Sequence, residues 1–523
     1  MDEYTHPASL ADDLAGRKRG KGSAWLPSIT PRLLSNTVQQ IMSRRFVTDK
    51  GKPTAFSKMA DARLLAHGAP EGIPTHPDYT IAVRPKDSTN QQWVEVAPLR
   101  VAASSIEPSS GTFTPHNICV ASFDTDVEVD IVVHFRKGDI NEAAILPSRY
   151  GIDVQLANFY SMNFSLDQPR DVMLILNDNK WNAVHLLVNR IDHDVPQNDT
   201  EDTWYFGPGI NNGRAYEKAD GGKLAVPSGK TVYLAAGAFL TAGLHFDGVE
   251  NAAIRGHGFI YDAKAPSFLM EKQGAVLIER SSNISITGIT SLSATGFGFL
   301  AGNGDGLHFL AASDVSISNC FLRNSDDTIA INCDRWDYHG DSENYIIRDC
   351  VLLPDIAHPI LIGTHGDFSN PSTIQNIHIS NIDILDHEES QLWYQGCIAI
   401  NAGDGNLIQN ITLDDIRVRK ITKGQLINIR VMQNAMWTKG PGRGVRDVTF
   451  RNLHLERTDT GTINPSQILG YGQERKVEGV RFENLRIDEK VIHGGMGKPR
   501  WYMAEDFVPV FVNEHVEGLT FEA

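Results

Sequence analysis

The sequence predicts an all-β protein: a right-handed parallel β-helix over residues 203–523, preceded by a β-sandwich over residues 76–200. Three observations lead there. A short unit recurs about every 32 residues from Asn251 onward. The apolar residues throughout recur at period two, without helical periodicity, over most of the chain. Three runs between Gly304 and Gly363 align on their apolar residues and place titratable side chains in one column.

Residues 1–75 are an N-terminal arm with no assigned function. Within it, Leu33, Leu34, Val38, Ile41 and Met42 recur at helical spacing, which suggests a helix over Pro31–Arg45. From Tyr79 the period becomes two. Tyr79–Val83, Val94–Val96, Val127–Phe135 and Val172–Leu176 read as strands separated by turn-formers such as Asn177-Asp-Asn-Lys180. Short strands without helices over some 120 residues indicate a sandwich. The polar stretch Asp192–Asp202, with Pro196, reads as the junction.

The repeat then takes over. Its unit is a polar residue or Gly, then apolar-x-apolar-x, a second polar residue or Gly, and another apolar residue. Asn283-Ile-Ser-Ile-Thr-Gly-Ile, Asn344-Tyr-Ile-Ile-Arg-Asp-Cys and Asn376-Ile-His-Ile-Ser-Asn-Ile are clear copies. Copies start at Asn251, Asn283, Asp314, Asn344, Asn376, Asn410, Asp447, Gly479 and Gly518, at intervals of 32, 31, 30, 32, 34, 37, 32 and 39 residues. Leucine-rich and helical repeats need other frames. Stacked coils with Asn and Asp at the bends fit. The longer intervals imply loops bulging from one face, where a groove would form.

Composition narrows function. The charge, 48 − 64 = −16, makes nucleic acid an unlikely partner. No apolar run reaches the roughly 20 residues of a membrane span. The N-terminus shows no basic segment followed by an apolar one, so a cytoplasmic location, or secretion after removal of a leader, is expected. The five cysteines form no CxxC pair, and Cys320 and Cys350 recur at one repeat position, which favours stacked thiols over a disulfide.

The column holds the chemistry. Asp305, Asp327 and His358 each precede a strand-like segment, at spacings of 22 and 31 residues, and Asp326 stands beside Asp327. Adjacent coils lie about 4.8 Å apart, so three carboxyls crowd one edge and at least one is expected to have a raised pKa. One protonated carboxyl and one ionised carboxylate are the requirement of glycoside hydrolysis. A lone Asp at such a bend usually caps backbone instead. The Asp-Asp pair in register with a third Asp and a His favours the functional reading.

Gly304-Asp-Gly-Leu-His308 resembles the Asn-Thr-Asp-Gly motif of the polygalacturonases of glycoside hydrolase family 28. Asn324–Ile331 resembles their Asp-Asp motif, and Ala357–Gly363 their Gly-His-Gly motif. The sandwich-first layout is similar to the dextranases of family 49. The resemblance implies net inversion without metal or cofactor, with Asp326 as general acid. It implies that Asp305 and Asp327 activate water and that His358 tunes their protonation. The family's Arg-Ile-Lys motif falls on Arg430-Val-Met432. Arg430 remains as a substrate-binding candidate, but Met432 replaces the lysine that grips a sugar carboxylate. The expected substrate is therefore an α-linked neutral poly- or oligosaccharide, a dextran-like α-glucan first. Pectic chains are the alternative, followed by a Ca²⁺-dependent lyase and a non-catalytic carbohydrate-binding protein. Trp336, Tyr338 and Trp393 are expected to stack on sugar rings, and His365 and Asp367 to bond hydroxyls. Oligomeric state is left open.

Overall fold

The computed structural model describes residues 63–86, 92–107, 112–218, 222–261, 276–292, 305–335, 337–456, 462–496 and 510–523. The helix expected over Pro31–Arg45 and the candidate Trp336 lie outside these residues.

Two sheets form the sandwich. One runs Val94–Val96, Tyr79–Pro85, Val129–Phe135, Ser161–Leu166, Gln155–Asn158, all antiparallel. The other contains Leu64–Ala66, Thr112–Thr125, Asn179–Asn189, Val172–Leu176 and Ala143–Leu146, with Leu99–Glu107 paired to Thr112–Thr125. Leu64–Ala66 therefore already belongs to the sandwich. Ile81, Ile131, Phe164, Val172, Leu174 and Val184 fill the core between the sheets. Val172–Leu176 is buried at all five positions. This continuous apolar run reflects burial on both faces. Leu174 faces the sandwich core, while Met173 and Ile175 pack with Phe259, Phe321 and Leu353 of the following domain.

That domain is a parallel β-helix. Its longest stack runs from Thr203–Phe206 through Glu250–Gly256, Ser282–Thr287, Ser313–Ser318, Ser342–Pro354, Thr373–Ile384, Leu407–Val418 and Gly444–Leu455 to Val477–Glu483. A second stack runs from Leu224–Ala225 to Val510–Val512 and includes Leu307–Leu310, Ile329–Asn332, Ile360–Gly363, Ile398–Ala402 and Ile427–Val431. A third, shorter stack contains Gly209–Asn211, Ala238–Leu240, Phe259–Tyr261 and Thr290–Leu292. Isoleucines such as Ile286, Ile317, Ile347, Ile379 and Ile400 fill the interior.

The polar starts of the repeat unit are its corners. Asn251, Asn283, Asp314, Asn344, Asn376, Asn410, Asp447, Gly479 and Gly518 all have φ between +53° and +69°. Asn, Asp and Gly tolerate that region best. The corner residue is skipped in the pairing: Glu250 faces Ser282 and Ala252 faces Ile284. Its side chain bonds the next coil, as in Asn376 Nδ2 to Asn344 Oδ1 (3.0 Å) and Asn410 Nδ2 to Asn376 Oδ1 (2.7 Å). All five cysteines are buried free thiols.

The sandwich covers the face of the helix that carries Phe239, Phe259, Phe321 and Leu353. Ion pairs cross this seam at Arg149–Asp383 (2.8 Å) and Arg419–Asp178 (2.6 Å), and Arg323, paired with Asp355 of its own domain (2.9 Å), reaches the Lys180 carbonyl of the sandwich (3.1 Å). Arg149, Trp181 and His185 all sit here. His185 bonds Arg323, and Trp181 stacks on His116. The second stack is thereby left to build the site.

Candidate active site

Register places the column as the spacing suggests. Leu307 pairs with Ile329 and Ile329 with Ile360, so Asp305, Asp327 and His358 each stand two residues before a paired position. Gly306 permits the first of these turns: a Cβ there would lie 2.6 Å from the carbonyl oxygen of Thr328. The Asn324 side chain shapes the second, donating to the carbonyls of Asp326 (2.6 Å) and Asp327 (3.0 Å).

The three carboxyls offer oxygens that all lie within 4.8 Å of one another. Each spends one oxygen on a neighbour. Asp305 Oδ2 meets His308 Nδ1 at 2.5 Å. Asp326 Oδ1 accepts the Asp327 N–H at 2.9 Å. Asp327 Oδ1 accepts both the His358 backbone N–H (3.0 Å) and Nδ1 (2.6 Å). These contacts leave the second oxygen of each to face substrate or water.

Their protonation is unequal. Burial, then the neighbouring Asp327 and Asp305 charges, push the Asp326 carboxyl well above the usual carboxylate range. Burial also pushes Asp327 upward, but the charge and hydrogen bonds of His358 outweigh it and hold Asp327 low. Burial opposes charge on His358, yet Asp327 raises it to about 9. Asp326 is thus biased toward its protonated form, beside an Asp327–His358 pair biased toward carboxylate and imidazolium.

Several expected site residues are less direct. Tyr338 is 3 % exposed with the Arg280 guanidinium over its ring, so it presents no free face to a sugar. Asp367 accepts the Ser369 N–H in its own loop (2.8 Å). His365 packs near the column, held neutral by burial and then by Arg335, with its pKa lowered to about 3. Its backbone N–H donates to Asn332 Oδ1 (3.4 Å). Arg430 is half-buried, with Nη1 donating to the Trp393 carbonyl at 2.6 Å. Trp393 is 66 % exposed, a free aromatic surface. Met432 is buried with Leu361, Tyr394 and Ala399.

Sequence reasoning missed the parts that four residues play here. His308 lies within the first run but was not singled out. Tyr394 acts through its carbonyl, which accepts His358 Nε2 (2.5 Å), and a backbone contact leaves no trace in residue type. Glu389 is buried and raised by that burial. Asn324 acts through the turn.

Among the described residues a second group, His245, Asp247 and Glu279, also brings three ligand-type side chains within 4.8 Å. There His245 pairs with Glu279 (2.7 Å) and Asp247 with Arg280. In the Asp305, Asp326 and Asp327 group, His308 and His358 already occupy one oxygen each of Asp305 and Asp327.

Residues 265–494 match the model of glycosyl hydrolases family 28. No curated protein matches the chain by sequence. Among solved structures, Dex49A from Penicillium minioluteum is similar at 11 % identity and a TM-score of 0.44, over 90 % of this chain and 95 % of that one. The family 28 exopolygalacturonase of Yersinia enterocolitica is similar at 12 % identity and a TM-score of 0.40, over 75 % of this chain and 96 % of that one. The chain is a β-helix glycoside hydrolase, with its repeat region the part that matches family 28.

Proposed function

We propose that the protein hydrolyses an α-linked neutral poly- or oligosaccharide with inversion. The observation that carries this is the geometry of Asp305, Asp326 and Asp327, whose oxygens lie within 4.8 Å of one another, with burial and its neighbours' charges pushing Asp326 up and His358 holding Asp327 low. Asp326 donates its proton to the glycosidic oxygen as that bond to the anomeric carbon breaks. Water, held by Asp305 and Asp327, attacks the anomeric carbon and gives up a proton to a carboxylate. His358 keeps Asp327 ionised. The exposed Trp393 ring supports a sugar beside Arg430.

The closest carboxyl oxygens lie nearer than the roughly 6.5–9.5 Å gap of a typical inverting pair. Product stereochemistry is therefore the deciding measurement. Proton NMR of early product is expected to show the inverted anomer; the retained anomer would make one of the two carboxylates a nucleophile and end this mechanism.

A neutral ring is favoured by the apolar cluster around Met432, which stands where the resembling family carries a lysine. Pectic chains are the second reading, favoured by the half-buried Arg430 guanidinium. Hydrolysis of dextran but not polygalacturonate is expected, and the reverse preference would select the pectic reading.

A further inference from the structure

The two histidines at the site face different partners. His358 points Nδ1 at the Asp327 carboxylate (2.6 Å) and Nε2 at the Tyr394 carbonyl (2.5 Å). Both partners only accept, so both ring nitrogens must carry hydrogen and the ring is a cation. His308 points Nδ1 at the Asp305 carboxylate (2.5 Å), but its Nε2 meets the Asn332 amide nitrogen at 3.0 Å. That nitrogen only donates, so His308 Nε2 must be the unprotonated one.

The Asn332 amide is itself oriented. Its oxygen accepts the His365 backbone N–H (3.4 Å), and the side chain is 1 % exposed. Turning it over would set an NH₂ group against that N–H and a carbonyl against His308. The order of donors from the His365 backbone through Asn332 to His308 thus ends in a neutral N–H aimed at Asp305.

We infer that His308 is a positioning residue locked in one neutral tautomer by Asn332, and that this leaves Asp305, rather than Asp327, as the carboxylate that takes the proton from water. The inference rests on the hydrolytic reading above. Asp327 lies against a permanent cation, which favours its charged form and makes it a poor proton acceptor. Asp305 receives one hydrogen bond from a neutral ring. Among the described residues, the Asp327 carboxylate and the Asp326 carboxyl on the next coil lie within 4.8 Å of it. His308 also stands near His365, which burial keeps neutral, and Arg335 acts on that histidine. In the step itself, the water O–H bond breaks, its oxygen bonds the anomeric carbon, and the proton passes to Asp305 Oδ1. Asp327 Oδ2 accepts the water's second hydrogen without removing it.

¹⁵N-histidine NMR of the whole protein reads the tautomer without reference to activity. The His308 signal, identified by its loss in His308→Gln, is expected to show one protonated and one unprotonated nitrogen under the conditions of the activity assay. His358 is expected to show two protonated nitrogens. A doubly protonated His308 overturns the proposal. Kinetics then test its consequence by sign. Asn332→Asp offers an acceptor to Nε2 and makes the ring a cation, so the acid limb of kcat/KM should move down by about one pH unit while kcat falls. His308→Ala should move the limb up by about the same amount, and His308→Gln, which restores a neutral N–H, should return it. An unmoved limb in both Asn332→Asp and His308→Ala would transfer the proton to Asp327. If the hydrolytic reading itself is wrong, Asp326→Asn keeps its turnover whatever the tautomer.

Discussion

The seam between sandwich and helix and the Asp305–Asp327–His358 column are both built from buried charge, and they balance it differently. At the seam several acids meet bases. Asp355 lies against Arg323, with side chains 1 % and 3 % exposed. Asp383 takes Arg149 and Arg417, Asp386 and Glu388 share Lys180, and Asp178 takes Arg419 and Lys420. In the column, Asp305, Asp326, Asp327 and Glu389 crowd around His358, whose positive charge is spent on Asp327. Surplus acid is settled by a proton on Asp326. Matched buried charge fixes geometry, whereas unmatched buried charge stores a transferable proton.

Four substitutions or titrations test that contrast. Asp326→Asn should lower kcat by about 10²–10⁴-fold, the range of general acid catalysis. Its thermal stability at pH 7 should rise rather than fall. The raised Asp326 favours the unfolded state as pH climbs above about 3.9, so the gain should vanish below that pH. A stability loss at pH 7 would place Asp326 with the seam residues.

Asp355→Asn should do the opposite. Leaving Arg323 buried and unpaired costs about 3–5 kcal/mol, read by urea unfolding. The double replacement Arg323→Met with Asp355→Leu should recover most of that. If the double variant is no better than the single, the pair is not a matched seam charge.

Stability should also fall on acidification. His387 is fully buried and neutral, donating Nδ1–H to the Ala357 carbonyl, with its pKa lowered to about 3 by burial and then by His358. The unfolded chain protonates it below about 6.5, so its contribution is complete above that pH and lost as pH falls toward 3. At pH 4 the loss is about 3 kcal/mol. His387→Asn should flatten this part of the curve; an unchanged slope from pH 6.5 to 4 would remove His387 from the account.

Trp393→Ala should have the smallest effect: KM for a long substrate up by about three- to tenfold, with kcat nearly constant, as for loss of uniform binding. A fall in kcat without change in KM would move Trp393 from binding to chemistry.

The frame was legible because its physics is local. A corner that needs positive φ selects Asn, Asp or Gly every coil, and a buried strand selects isoleucine, so the repeat is written in residue types. The column was legible for the same reason, since register converts sequence spacing into neighbours. What stayed hidden depends on partners from other coils or on backbone atoms. Tyr338 looks like a platform in sequence, yet it is buried under Arg280. Nothing in a tyrosine's name says that its carbonyl will hold His358. His308 was visible as a residue, but its tautomer depends on Asn332, a partner 24 positions away.

Arg323 has one more consequence. Its Nη1 donates to the Lys180 carbonyl of the sandwich (3.1 Å), and its chain neighbour Asn324 holds the Asp326 carbonyl (2.6 Å). Asp355, its ion-pair partner, lies three residues before His358 and donates its N–H to the Asn324 carbonyl (2.7 Å). One covalent step and two hydrogen bonds separate the sandwich backbone from Asp326. The two domains are consequently not interchangeable modules. A helix excised from its sandwich would lose the brace that sets the acid, and grafting the helix onto another partner would require rebuilding Lys180 in place.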